Sequence, residues 1–396
     1  MPSHSLAKET KFTDATRYLV TVTPFGQSSL SATGATEVKF RLPKQDFLIG
    51  NDLIFNFNAE ADGDGASDDA FLSNIACIWD QFRVRVDGEE HQQIREIGFL
   101  QCIDDNLRWP SEYRTSFGAI AQGVPALSAS GTSTRYGMRL LFNNFLDRII
   151  PTYKIGQVEV EFTLNSSLNQ YTEATTAVTE VDVTLMELQC PYIKSEQMVG
   201  EWNGKDVHST FYDYDHHRDT SLLSGATSHT TVIPTSNKSL DGILVVQRNQ
   251  ADVNDPNSGL EKYQSAFLTN ALTSLSFVID GMQVPRRELN CNQQVEPFQY
   301  LLEYAGHKKG DEFSAPSFFT GAYDTAADGQ FVIAYPFNSM VGSKSTLSGI
   351  NTSTKTGQVE LKLSSITASA NTQIDIWTRY SKVVKFTADG NVISTK

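Results

Sequence analysis

Short runs in which apolar and polar residues alternate recur along almost the whole chain, separated by clusters of Gly, Asn, Asp and Ser. Val158-Glu159-Val160-Glu161-Phe162 alternates strictly, the pattern of a strand with one face packed inward and the other toward solvent. On this basis the first half predicts strands near Arg17–Thr23, Thr36–Leu42, Asp52–Asn58, Gln81–Val86, Gln157–Leu164 and Val181–Leu188. The second half predicts them near His229–Ile233, Asp241–Gln247, Ser274–Ile279, Gln330–Ala334, Gln358–Leu363 and Gln373–Phe386. The last is long enough to be two strands joined at Tyr380-Ser381. Helical periodicity is best at Ile94–Leu107 and Val295–Tyr304. A long, small-residue-rich stretch follows each, Pro110–Arg135 and Gly306–Gly329. Loops of that length in a compact β-domain usually carry function or contact a neighbour.

The two halves repeat one another. Phe71-Leu72-Ser73-Asn74 leads through an apolar run to Val86-Asp87-Gly88, and Phe267-Leu268-Thr269-Asn270 leads through another to Ile279-Asp280-Gly281, with the Asp-Gly pairs 193 residues apart. Gly156-Gln157-Val158-Glu159-Val160 is echoed by Gly357-Gln358-Val359-Glu360-Leu361 at an offset of 201, and Val181-Asp182-Val183 by Ile374-Asp375-Ile376 at an offset of 193. A predicted helix follows each Asp-Gly pair. The period exceeds the roughly 20–50 residues of solenoid and propeller repeats, so the repeated unit is a whole domain.

At 396 residues, the chain divides into two domains, each large enough to bury its own core. Many short strands with few helices point to a sandwich or barrel in each half. Seven or eight strands per half suit a jelly roll better than an immunoglobulin-type sandwich, for which no Cys…Trp…Cys spacing is present. The expected fold is all-β: two consecutive eight-stranded jelly-roll β-sandwiches, a double jelly roll, with a short helix in each. The expected organisation is an N-terminal arm over 1–16, a first jelly roll over 17–199, a second over 200–388 and a C-terminal tail over 389–396. The boundary falls where Cys190-Pro191-Tyr192 gives way to the polar stretch Lys194–Asp206.

The order in the first half is extended Phe40-Arg41-Leu42-Pro43, then Asn51-Asp52-Leu53-Ile54-Phe55, the apolar segment Phe71 to Val86, the Asp87-Gly88 turn and the helix Ile97–Leu107. This series resembles the opening jelly roll of the double-jelly-roll major capsid proteins of tailless icosahedral viruses, the lineage of adenovirus and the membrane-containing phages. The resemblance covers essentially the whole chain, and it rests on duplication, strand order and size rather than on any short motif. It implies a location in the virion capsid, with jelly rolls standing upright in the shell. It also implies a homotrimer whose six jelly rolls give a pseudo-hexagonal capsomer, closed by cyclic symmetry. The partners it implies are neighbouring capsomers, penton and minor capsid proteins and, where one lies beneath the shell, an internal membrane. Ala59–Ala70, Ala119–Thr134, Asn165–Thr179, Gln250–Lys262 and Ser339–Thr356 suit the outer-surface loops of such a protein. The polar ends Met1–Phe12 and Asp389–Lys396 are expected to gain order against neighbouring subunits or an underlying membrane.

Composition narrows the partners. Hydrophobic content of 40% and charged content of 20% are those of an ordinary globular protein. No stretch approaches the roughly 18 consecutive apolar residues of a membrane-spanning helix, and Met1–Thr13 has no apolar segment of the kind a cleavable secretion signal needs. Cys77, Cys102, Cys190 and Cys291 are isolated, which predicts free buried thiols in a reducing compartment. The net charge is −14, from 32 basic and 46 acidic residues, with no basic run at either end. A chain that coats nucleic acid by neutralising it needs a surplus of Lys and Arg, so direct nucleic-acid binding is not expected.

Candidate chemistry is sparse, and no catalytic, cofactor-binding or metal residue is assigned. Asp213-Tyr214-Asp215-His216-His217-Arg218-Asp219 is the densest cluster of metal-ligand types. Neighbouring His residues diverge on a strand, so His216 and His217 read instead as part of a polar loop or strand edge opening the second domain. Asp62-Gly63-Asp64-Gly65-Ala66-Ser67-Asp68-Asp69 has carboxylates for Ca²⁺ but Ser73 where an EF-hand loop needs its twelfth-position acid, and reads as a solvated hairpin tip. No GxSxG elbow or phosphate-binding Gly-rich loop occurs. The pairs Glu89-Glu90 and Asp104-Asp105 would serve a glycosidase only across a cleft. Arg286-Arg287 and His307-Lys308-Lys309 read as intersubunit ion pairs or surface charge, with contact to anionic lipid or genome as the sharper alternative. The sequons at Asn165, Asn237 and Asn351 read as chance matches in the absence of a secretion signal.

A structural role, the capsid protein, is therefore the primary expectation. A duplicated β-sandwich spike or glycan-binding protein is the alternative, and it predicts aromatic clusters on loop tips, for which Trp109, Trp202 and Phe318-Phe319 are the candidates. A jelly-roll carbohydrate-active enzyme ranks third, because it needs convergent carboxylates that the sequence does not identify.

Overall fold

The computed structural model describes residues 14–62, 70–71, 74–108, 111–122, 133–168, 172–173, 178–251, 253, 268, 270–291, 295–306, 332–337, 349–353 and 358–395. The first half contributes eight principal strands: β1 (Thr16–Val22), β2 (Glu37–Arg41), β3 (Ile54–Asp62), β4 (Trp79–Val86), β5 (Glu89–Arg95), β6 (Thr134–Arg139), β7 (Val158–Leu164) and β8 (Glu180–Lys194). Helix α1 (Ile97–Arg108) lies between β5 and β6, and α2 (Glu196–Trp202) follows β8. The second half contributes β9 (Val207–Leu222), β10 (Ser228–Pro234), β11 (Leu240–Asn249), β12 (Ser274–Ile279), β13 (Met282–Asn290), β14 (Val332–Pro336), β15 (Gln358–Ser364) and β16 (Thr372–Phe386). Helix α3 (Val295–Ala305) lies between β13 and β14.

Strand pairing gives each half the same two antiparallel sheets. In the first, β1-β8-β3-β6 faces β2-β7-β4-β5; in the second, β9-β16-β11-β14 faces β10-β15-β12-β13. This is jelly-roll connectivity twice over, so the expected double jelly roll with a helix in each half is what forms. Even the register repeats: Val158 lies opposite Val86 and Val359 opposite Ile279, the positions that the sequence repeat aligns. The Asp-Gly pairs are the turns from β4 to β5 and from β12 to β13. Both residues of each have positive φ, 49° and 83° for Asp87 and Gly88 and 55° and 75° for Asp280 and Gly281, the two-residue hairpin geometry that favours Asp-Gly. Gly156 is needed for a different reason, since a Cβ there would sit 1.9 Å from the Asp87 carboxylate, which accepts a hydrogen bond from the Gln157 backbone N–H at 2.7 Å.

Alternation produces the cores. Trp79, Phe82, Val84 and Val86 of β4 and Val158, Val160 and Phe162 of β7 point inward, and Phe55 stacks on Phe162 with ring centroids 4.4 Å apart. In contrast, every residue of β11 from Leu240 to Arg248 and every residue of β16 from Thr372 to Tyr380 is buried. A sheet whose central strands are buried along their length has both faces covered, which is why Ile243-Leu244-Val245-Val246 is an unbroken apolar run. One face packs on its own sandwich and the other on the first sandwich.

Each copy enters its fourth strand region through a buried Asn with positive φ, 72° at Asn74 and 48° at Asn270. The Asn74 side chain accepts from Ala76 N–H at 3.1 Å and donates to Asp105 at 3.0 Å; Asn270 donates to Gln247 at 2.8 Å and Thr372 at 3.2 Å. Asn tolerates this conformation because its short side chain bonds locally. Asn74→Ala is expected to cost about 1–3 kcal/mol through unpaired buried polar groups. Asn74→Gly, which removes the same hydrogen bonds without the positive-φ strain, should lose less; thermal melts of the two variants check the order.

Several expectations need correction. The first helix starts at Ile97, not Ile94, because Ile94 and Arg95 complete β5 opposite Phe82 and Gln81 and the chain breaks at Glu96, φ 51°. Strands β5, β6, β9 and β13 had no predicted counterpart. Thr372–Phe386 is one unbroken strand, not two joined at Tyr380-Ser381. The C-terminal segment does not wait for a neighbour: Val392–Thr395 forms β17, paired to β16. Residues 1–13 lie outside the described set. Of the five loops assigned to one outer surface, four join strands at the end that carries the α1 and α3 connections. The fifth, Ser339–Thr356, joins β14 to β15 and leaves from the opposite end, shared with the Asp-Gly turns.

Candidate functional site

The junction between the sandwiches is where polar side chains concentrate. Strand β5 and the connection after β6 supply hydrogen bonds from the first sandwich to β9. Gln92 Nε2 donates to the Tyr212 carbonyl at 2.8 Å while its Oε1 accepts from Phe145 N–H at 2.8 Å. Tyr212 N–H donates to the Asn143 carbonyl at 2.8 Å. Arg148, 5% exposed, donates to Ser209 Oγ at 2.6 Å and the Thr210 carbonyl at 3.1 Å. These bonds satisfy backbone groups that an edge strand leaves open, and they explain why so polar a strand as Glu89–Arg95 is buried at His91 and Gln92.

At the centre lies Asp375, fully buried on β16. Its Oδ2 accepts from Arg248 Nη2 at 2.6 Å and Gln373 at 2.9 Å, and its Oδ1 lies 3.0 Å from both Arg218 Nε and His216 Nε2. Arg218 reaches on to Glu96 of the first sandwich at 2.6 Å. The Arg248 guanidinium lies 4.2 Å over the ring of Phe99 on α1, and Phe99 meets Trp377 edge-on at 5.2 Å. Burial alone would raise the Asp375 carboxyl; Arg248, His216 and Arg218 outweigh it and hold the group well below the usual carboxylate range.

The Asp213–Asp219 stretch is thus part of β9, and Asp213, His216, Arg218 and Asp219 are each held by protein partners. His216 and Arg218 bind Asp375; Asp213 pairs with Lys382 and accepts from Tyr380 at 3.1 Å. Asp219 accepts from His229 at 2.9 Å, Thr231 at 2.5 Å and Ser221 at 2.6 Å. Among the described residues no three His, Cys, Asp or Glu converge to hold a metal ion. Residues 63–69, Trp109, His307-Lys308-Lys309 and Phe318-Phe319 lie outside the described set. Trp202 is not a free loop tip, since it packs edge-on against Phe47 at 5.3 Å. Asn237 is buried and donates to Thr235 at 3.0 Å, an unsuitable glycan acceptor. All four cysteines are buried and outside any disulfide, as expected.

The helices close the junction. Arg108 of α1 binds Asp104 at 2.6 Å and the Ala305 carbonyl at the end of α3. Arg379 of β16 donates to the Tyr304 carbonyl at 2.7 Å and lies 3.8 Å over the Tyr304 ring. Beside them is a half-open cavity of about 400 Å³, lined in part by Asp104, Asp105, Arg108, Arg139 and Phe142. Burial, reinforced by Asp104, pushes Asp105 up to about 8 despite amide donors from Asn74, Gln101 and Gln122. A carboxyl raised on folding stabilises fully below its unfolded pKa, about 4, and loses that contribution as pH rises through about 8. Melting temperature should therefore fall from this group between those limits, and Asp105→Asn should flatten that part of the profile.

Outward faces of the equivalent sheets have diverged. In β2-β7-β4-β5, Glu161 is 2% exposed beneath Lys39 at 3.2 Å, Arg83 at 3.0 Å and Arg85 at 3.1 Å. The equivalent residue of β15 is Lys362, which pairs with its neighbour Glu360 at 3.4 Å.

No protein-family model matches the chain, and no curated protein matches it. Among solved structures it is similar to a chain of the quasi-atomic model of the PBCV-1 virus capsid, with 12% identity, a TM-score of 0.69 and 98% of each chain covered. It is similar to a chain of the Sputnik virophage cryo-EM structure, with 9% identity, a TM-score of 0.59, and 97% of this chain and 88% of that one covered. A third likeness is to the mavirus major capsid protein, with 12% identity, a TM-score of 0.54, and coverage of 95% and 90%. The feature these proteins share with this chain is the double-jelly-roll fold over nearly its entire length.

Proposed function

We propose that this chain is the major capsid protein of an icosahedral virus and that it assembles as a homotrimer, six sandwiches forming a pseudo-hexagonal capsomer of the virion shell. The observation that carries the reading is that two jelly rolls of identical topology are fixed side by side by a buried ionic face. Two equivalent units in a set relation allow three copies to occupy six places in a closed ring. The capsid proteins of similar fold support it, as do the outward faces, alike in backbone and unlike in charge, which suit different neighbours. The role is structural rather than catalytic. We place the division between the jelly rolls near residue 200, and take neighbouring capsomers, penton and minor capsid proteins as partners. The acidic balance favours a genome held by other components, with an internal membrane as one of them.

Light scattering on the purified full chain, with electron microscopy of the same fractions, tests the reading. Trimers or spontaneous shells are expected. A well-behaved monomer that binds sugar would overturn it in favour of the glycan-binding alternative.

A further inference from the structure

The Lys382–Asp213 pair sits in surroundings suited to more than ionic attraction. Asp213 lies on β9 and Lys382 on β16, hydrogen-bonded neighbours in which Asp213 is opposite Tyr380 and Phe211 opposite Lys382. The two side chains therefore meet diagonally across one face of the sheet. Lys382 Nζ touches Asp213 Oδ2 directly, and the side chains are only 6% and 2% exposed. The rings of Phe211 and Tyr380, with centroids 5.9 and 5.5 Å from the amine, wall the pair off. The Tyr380 hydroxyl lies 3.1 Å from Asp213 Oδ2 and 3.3 Å from Asp215 Oδ1, which brings a second carboxylate to the site. Burial raises the Asp213 carboxyl above its usual range, against the opposing pull of Lys382.

We propose that Lys382 and Asp213 condense, after folding, into an intramolecular amide that ties β9 to β16. The Lys382 nitrogen bonds to Cγ of Asp213, the Cγ–Oδ2 bond breaks, and that oxygen leaves as water. Starting from ammonium and carboxylate, two of the three nitrogen protons depart in the water and the third remains as the amide N–H. The balance needs no oxidant and no second reactant. Holding nucleophile and carbonyl carbon together supplies the proximity that drives such a step. A neutral amide also relieves the cost of keeping two charges in a water-poor site. Tyr380 and Asp215 are positioning and proton-relay groups, linked by the hydroxyl that reaches both carboxylates. The bond would close a loop whose ends are 169 residues apart, so that the edge strand β9 could not peel away from β16.

This inference concerns the single chain and stands apart from the capsid reading. Intact-mass measurement of the denatured full-length protein, with a peptide map, tests it. The mass is expected to be lower than the sequence mass by one water, with a branched peptide joining Asp213 to Lys382, and Lys382→Arg should restore the full mass. A wild-type chain at its full sequence mass overturns the proposal. So does a missing water without that branched peptide, which would mark a cyclised Asp elsewhere. Should Lys382→Arg fail to fold, the wild-type peptide map decides alone.

Discussion

Replacing Asp375 by alanine is expected to destabilise the protein by about 3–5 kcal/mol, the range for removing one partner of a buried ionic group. The residue is at the centre of the junction: Arg248, Arg218 and His216 converge on it, and without it the enclosed Arg248 guanidinium loses its carboxylate partner while His216 and Arg218 each lose a hydrogen-bond acceptor. Asp375→Asn preserves the shape but not the charge, so it should fall well below wild type as well. The acid side of the stability profile gives a second readout. A carboxyl held below its unfolded pKa of about 3.9 contributes its stability above that pH and loses it as pH falls through the folded value. The wild type should therefore lose stability on acidification from about pH 4 downward, and the alanine variant should lack that component. Chemical denaturation of both proteins at several pH values measures this. Equal midpoints at neutral pH would show that the ionic centre contributes nothing.

The second large effect is expected at the aromatic contact between the halves. Phe99 and Trp377 are both buried and meet 5.2 Å apart, one from each sandwich. Alanine at either position should cost about 3–5 kcal/mol by loss of burial and creation of a cavity. The double variant should cost less than the sum, by about 0.5–1.5 kcal/mol, because the rings interact with each other. Because the contact bridges the halves, each variant should also separate one cooperative unfolding transition into two, followed by denaturant titration with far- and near-ultraviolet circular dichroism. Strict additivity, together with a single transition, would show that this contact does not couple them.

How far the fold could be read from the chain depends on where each strand finds its partners. Val158–Leu164 and Gln358–Ser364 alternate because one face meets a core and the other points outward, and both are legible. Strands β5, β9 and β13 are not. Glu89–Arg95 is polar because His91 and Gln92 bond to the other sandwich, and Met282–Asn290 carries Pro285, Arg286 and Arg287. The Asp213–Asp219 stretch reads as a loop or a strand edge, and β9 is an edge strand, but its ionic partners are not legible because they lie far away: Asp375 is 159 residues from His216, and Glu96 is 122 residues from Arg218. A local pattern cannot show such partners. The repeat aligned Asp182 with Asp375, yet the first is exposed and the second fully buried, a difference that arises only when the halves pack. The junction was thus present in the sequence as residues but not as a site.

The double coverage of the β9-β16-β11-β14 sheet has a consequence for synthesis. Trp377, Leu244, Val246 and the Arg248–Asp375 pair are buried on the face that meets α1 and its flanking residues, so that face of the sheet has its cover only where the first sandwich is present. Chain order provides it, because residues 16–194 leave the ribosome first and can offer a formed face to the strands made after them. The earlier-made sandwich is in this sense a mould for the later one, and the reverse order of fusion would leave a charged, aromatic sheet waiting in water for its cover.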